Sequence, residues 1–158
     1  MKTVMAAVDF SAVTDRVVRE AVGMARLLKA KLVLVNAVVP PSTVRDIFPA
    51  GALSAELLLE AKKASNARLL ALQKKWQRRV RRLDLVRLTG DPVASIVGEA
   101  GRRGANFLVI GAHGHTAIFE VLTGGVARGI LARSPCPVIV VPAEAAVSGR
   151  AGAKAKRA

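Results

Sequence analysis

FLVIGAHGHTAIFEVLTGGVARGILARSPCPVIVV (Phe107–Val141) reads in order as strand, glycine-punctuated loop, helix, proline-bracketed turn and strand. Phe107, Leu108, Val109 and Ile110 form a short continuous apolar run ended by Gly111, the pattern of a strand covered on both faces of a parallel sheet. Gly111, Gly114, Gly124 and Gly125 then punctuate a long loop, the last two just ahead of a helical pattern carried by Val126, Ile130 and Leu131. Unpaired N–H groups at a helix N-terminus, bared of side chains, attract an anion, and phosphate is the natural guest. Glycines in such places also serve as plain turn residues at positive φ, with no ligand involved. The ordered Gly-x2-Gly-x9-Gly spacing between a buried strand and a helix is what favours the site.

Upstream, strands and helices alternate. Lys2–Val8 is expected to be the first strand, with Asp9 at its carboxyl end, where ligands sit in open parallel sheets. Asp9 is suited to contact a ribose, a base or a divalent cation there, and equally to serve as a helix-start acceptor. Ser11 is expected to cap a helix whose apolar residues, Val13, Val17, Ala21, Met24, Ala25 and Leu28, fall three and four apart. Leu32–Val38 is the second strand. Pro40–Leu53 reads as a loop over the carboxyl edge of the sheet, either an ordinary connection or a lid. Ser54 opens the longest helix, with Leu58, Ala61, Ser65, Leu69, Leu72, Trp76 and Val80 on one face and Lys62, Lys63, Arg68, Lys74, Lys75, Arg78 and Arg79 around it. Trp76 falls on the apolar stripe and reads as core. Leu83–Thr89 is the third strand. Asp91 is an N-cap acceptor and Pro92 a first helical residue, ahead of an inner face of Val93, Ile96, Val97 and Ala100.

The chain has 158 residues, 52% of them hydrophobic, enough for one domain with a real core. No apolar run reaches the length of a membrane span and the N-terminus lacks a signal-peptide pattern, so a cytoplasmic location without membrane attachment is expected. Cys136, the one cysteine, cannot form an internal disulfide and reads as a small buried hydrophobe. His113 and His115 have no accompanying cysteine or carboxylate cluster, so no metal site is expected there. A formal charge of +14 and a pI near 11.4 favour anionic partners, and the basic helix is either a solvated face or an anion-binding surface. The last residues, 143–158 (AEAAVSGRAGAKAKRA), read as a disordered basic tail following a domain at 1–142.

Three blocks, Ala7-Val8-Asp9-Phe10-Ser11, Gly90-Asp91-Pro92 and GAHGHTAIFEVLTGGVARGILARSPCPVIVV, resemble the universal stress protein family, a likeness running from about Lys2 to Pro142. The resemblance implies an α/β three-layer sandwich, Rossmann-like, with a five-stranded parallel sheet that binds ATP, with or without Mg2+. It matches Asp9 to the nucleotide-contacting aspartate, places Ala37 beside adenine, assigns phosphate contacts to backbone donors of Ala112, His113, Gly114, Gly124, Gly125 and Val126, and counts Gly111 among the nucleotide-binding residues. It also implies a homodimer through the C-terminal strand Val138–Val141, which would cover an exposed edge. One departure is visible: the family usually carries Ser or Thr after the third glycine, and this chain has Gly125. The missing hydroxyl is worth about 1 kcal/mol, up to roughly threefold that against a charged phosphate, so binding is expected to weaken rather than vanish.

The expected function is therefore regulatory adenine-nucleotide binding in a stress response. With no Walker lysine, placed general base or nucleophile–base pair, any ATP hydrolysis is expected to be slow. The competing reading is a basic protein that associates with nucleic acid or another polyanion, its glycine loop purely structural. Steep salt dependence separates that reading from a nucleotide pocket.

Overall fold

The computed structural model describes residues 1–40, 52–112 and 125–142, with the backbone alone for 52–54. The elements are β1 (Thr3–Ala7), α1 (Thr14–Leu27), β2 (Lys31–Val38), α2 (Ala52–Trp76), β3 (Leu83–Thr89), α3 (Pro92–Arg102), β4 (Phe107–Ala112), α4 (Gly125–Arg133) and β5 (Val138–Pro142). A short 3-10 turn, Gln77–Arg79, follows α2. The strands make one sheet in the order β3-β2-β1-β4-β5, every pair parallel, as the α/β reading requires. Val4 of β1 lies opposite Leu32 of β2 and Phe107 of β4, so β1 is central. Edge positions fall to β3 and to β5, the latter as anticipated.

Side chains of a strand alternate between faces, and the core divides accordingly. Val4, Ala6, Leu32, Leu34 and Val109 point to one side, where they pack with Val17, Val18 and Ala21 of α1 and Leu69 of α2. Met5, Val33, Val35, Leu108 and Ile110 point to the other, against Ile96 and Ala100 of α3 and Ile130 of α4. A fully buried leucine such as Leu32, Leu34 or Leu108 contributes about 1.5–3 kcal/mol relative to leaving it in water. Apolar runs without alternation in β1, β2 and β4 thus follow from burial on both faces.

Helix starts show where local chemistry decides and where it does not. At α3 the cap is as read: Asp91 Oδ1 accepts from Ala94 N–H at 2.8 Å and Pro92 occupies the first turn. At α1 the expectation fails. Ser11 does not cap it; the helix begins at Thr14 after Val13, with no side-chain cap, and Ser11 instead donates to Asp9. The cause is Phe10, whose φ of 63° turns the chain through the left-handed region before the helix can start. Helix α2 begins at Ala52, two residues ahead of Ser54, and ends at Trp76, so Val80 is extended rather than on its face. Ala61 is exposed, because full burial begins only at Ser65 and the first turns overhang the core.

Trp76 is 6% exposed and belongs to the core, with Lys75 Nζ 5.7 Å and Arg79 Cζ 5.2 Å from its ring. Cys136 is half-buried rather than enclosed, packed against the α3–α4 face, and its carbonyl accepts from the Ser134 hydroxyl at 2.8 Å. Residues 41–51 of the expected loop, both histidines and the segment 143–158 lie outside the described residues. Among those that are described, no helix is long and apolar enough to cross a membrane.

Candidate functional site

From β1 the chain builds outward to β2 and β3 on one side, then returns to place β4 and β5 on the other. Helices α1 and α4, which follow β1 and β4 in the chain, pack on opposite faces of the sheet, and the carboxyl ends of these strands open into a crevice. A cavity of about 460 Å³ occupies it, a size ordinary for a small-molecule site. Its walls are largely apolar: Ala7 and Val8 of the β1 end, Ala37 and Val39 at the β2 end, Pro92 and Ile96 of α3, Ile110 of β4 and Ile130 of α4. Asp9, Thr14 and Asn36 add polar side chains, and the first turn of α4, Gly125, Val126 and Ala127, completes the lining.

Asp9 stands at the lip, exposed. Its Oδ1 accepts from Ser11 N–H at 3.0 Å, from Ser11 Oγ–H at 2.7 Å and from Thr14 Oγ1–H at 3.4 Å. This carboxylate braces the turn that leads into α1 without capping the helix, and it lines the cavity. The left-handed Phe10 beside it is a bulky residue in a conformation that favours glycine, and such strain is held only where surrounding contacts over-determine it. Those contacts are the Asp9 turn on one side and, on the other, the Arg68 guanidinium 5.4 Å from the Phe10 ring.

Asn36 was not anticipated. Its Nδ2 donates to Val8 C=O at 2.7 Å and its Oδ1 accepts from Ser65 Oγ–H at 2.7 Å, a buried relay from β1 through β2 to α2. It satisfies a carbonyl freed where β1 ends and lines the cavity next to Ala37. The signal was present: Asn36 is the single polar residue in the run Leu32–Val38, and Ser65 the single hydroxyl on the stripe of α2.

The glycines divide by role. A Cβ at Gly111 would lie 2.6 Å from Val13 Cγ1 and 3.2 Å from Val17 Cγ2, so this glycine lets α1 seat directly on β4 while lining the cavity. Gly129, absent from the sequence reading, allows α3 and α4 to touch: a Cβ there would lie 2.7 Å from Val93 Cγ2. At Gly125 a Cβ would meet nothing within 4 Å. Of the nine residues assigned to nucleotide contact, Asp9, Ala37, Gly111, Gly125 and Val126 converge on the cavity, and Ala112 is buried at the end of β4 beside it. His113, Gly114 and Gly124 lie outside the described residues. Among those described, no group of three His, Cys, Asp or Glu side chains is placed to hold a metal.

The sequence model of the universal stress protein family matches residues 1–142. The chain belongs to that family. No curated protein matches the sequence. Solved universal stress proteins share the fold at low identity. UspA from Lactobacillus plantarum is 22% identical, with 89% of this chain and 97% of that one covered and a TM-score of 0.71. A universal stress protein from Archaeoglobus fulgidus, solved in complex with dAMP, is 24% identical over 89% and 97% of the two chains, with a TM-score of 0.63. Another, solved in complex with cAMP, is 24% identical over 89% and 95%, with a TM-score of 0.57.

Proposed function

We propose that this universal stress protein binds an adenine nucleotide in the carboxyl-end cavity, ATP in particular, as a regulatory ligand of a stress response rather than a substrate turned over rapidly. The observation that carries the reading is the convergence, at the strand-order switch, of apolar walls, one carboxylate and the N-terminus of α4. Apolar walls suit a purine, and a helix N-terminus suits its phosphates. The dAMP and cAMP complexes of family members support the choice of adenine.

In this arrangement the base lies against Ala37 and Val39, and Asp9 faces the ribose. Backbone N–H groups of Gly125 and Val126 hold phosphate, together with those of Gly111, Ala112, His113, Gly114 and Gly124. Mg2+ fits the same donor set, since it is commonly held by one or two carboxylates and the phosphates themselves, and Asp9 is the one carboxylate among the described residues that line the cavity. A second copy pairs through the β5 edge, where Val138, Ile139 and Val140 are only half-buried. Sedimentation showing a monomer at micromolar concentration would sink the pairing.

Calorimetric titration with ATP, AMP and cAMP, with and without Mg2+, tests the ligand. Gly125→Ser is the informative variant because a side chain there meets open space. One regained hydrogen bond to phosphate should tighten ATP by about fivefold. No nucleotide retained at millimolar supply by either protein would overturn the reading.

A further inference from the structure

At the other end of the sheet, where β2 and β3 begin, the chain gathers positive charge into a concavity. The C-terminus of α1 brings Arg26 and Lys29, and the 3-10 turn with the residues after it brings Arg78, Arg79 and Arg81. Together with Val80 these line an open notch of about 480 Å³. Among the described residues none of the five cations takes part in an ion pair, although the chain forms such pairs elsewhere. Basic residues near a helix C-terminus are favoured by its dipole, which explains one or two at each end. It does not explain five converging from segments fifty residues apart in sequence, where they repel one another.

Lys29 adds an independent observation. It sits at φ 51°, in the left-handed turn that ends α1, with its N–H on Arg26 C=O at 3.2 Å and Ala30 N–H on Ala25 C=O at 2.8 Å. Glycine is the residue this position favours. The chain keeps a lysine there at a cost in strain, and that lysine lines the notch.

We propose that this notch binds the phosphodiester backbone of double-stranded nucleic acid without reading its sequence. Four of the five cations are arginines, whose planar forks engage phosphate oxygens two at a time. The nearby aromatic, Trp76, is buried and offers no platform for stacking unpaired bases, which favours a duplex over a single strand. A concave cationic cleft receives a ridge of phosphates, whereas a flat bilayer surface calls for several inserting apolar side chains, and Leu27, 80% exposed, is the one large exposed apolar residue on the two segments that form the notch. This site is separate from the nucleotide cavity and does not depend on it.

The test is fluorescence anisotropy of the full-length protein with a labelled 20-base-pair DNA duplex of mixed sequence, from 0.05 to 0.3 M salt. Five phosphate contacts predict a log–log slope of about −4 to −5. Lys29→Gly should flatten that slope by about 0.9 and weaken binding on the order of fivefold to tenfold at 0.1 M salt. Relief of the left-handed lysine should at the same time raise Tm by about 2–4 °C, so lost binding cannot be put down to lost folding. Arg78→Ala with Arg81→Ala should weaken binding further, while Arg133→Ala, which removes one charge at the end of α4 as Lys29→Gly does in the notch, should leave it within about twofold. Equal weakening by Arg133→Ala would reduce the effect to net charge and overturn the site. So would unchanged binding in the notch variants, which would hand the duplex to the basic residues of 143–158. Capture by phosphatidylserine-containing vesicles, lost in the notch variants while duplex binding persists, would replace nucleic acid with membrane.

Discussion

Two groups of cations stand at the amino end of the sheet, and the chain treats them in opposite ways. On the α3 face, Arg82, Arg102 and Arg103 share two carboxylates. Arg82 Nε lies 2.9 Å from Asp84 Oδ1, Arg103 reaches the other oxygen of Asp84 at 3.9 Å, and Glu99 takes hydrogen bonds from both Arg102, at 2.7 and 2.8 Å, and Arg103. Glu99 is only 8% exposed, yet its carboxyl is lowered to about 2, chiefly by the Arg102 hydrogen bond and then by Arg103, against the opposing effect of burial. On the α1–α2 face, Arg26, Lys29, Arg78, Arg79 and Arg81 have no such partner among the described residues. On the α3 face positive charge is matched from within; in the notch it faces outward and unmatched among the described residues.

The contrast can be broken most forcefully at Glu99. Glu99→Ala leaves two arginines facing each other and should cost about 2–3 kcal/mol in urea unfolding, below the roughly 3–5 kcal/mol of a fully buried pair because Arg102 is mostly exposed. A loss under roughly 0.5 kcal/mol would put the two groups of cations on the same footing. Acid supplies the next test. The folded-state pKa of Glu99 lies below its unfolded value of 4.5, so its contribution is present above about pH 5 and disappears as pH falls through 4.5 toward 2. Roughly 2 kcal/mol of the acid-induced loss should therefore be missing in Glu99→Gln, read by urea midpoints at pH 7 and pH 3. The smallest effect belongs to the notch: Arg78→Ala with Arg81→Ala should change unfolding free energy by less than about 0.5 kcal/mol, or stabilise, since only repulsion is removed. A loss above roughly 1 kcal/mol would make the notch a structural feature.

How much of this was legible in the sequence depends on whether neighbours along the chain set the outcome. Strands could be read because burial on both faces leaves uninterrupted apolar runs, and β3 was bounded correctly at Leu83 and Thr89. Asp91-Pro92 could be read because a cap and its recipient are three residues apart. Ser11 misled because the same hydroxyl serves Asp9 equally well, and only the left-handed Phe10 selects between them. Gly111 pointed to the cavity, but its close approach to Val13 and Val17 belongs to the packing of α1 on β4, which no local pattern records. The basic run along α2 was plain in the sequence, whereas its meeting with Arg26 and Lys29 is made by the fold.

Trp76 carries one practical corollary. The chain has a single tryptophan, so its ultraviolet emission comes from one known place. Its indole N–H is buried without an acceptor among the described residues, and the Arg79 guanidinium lies over its ring while also lining the notch. An unlabelled native optical reporter is therefore already installed beside the charged cleft, sensitive to whatever draws that arginine away.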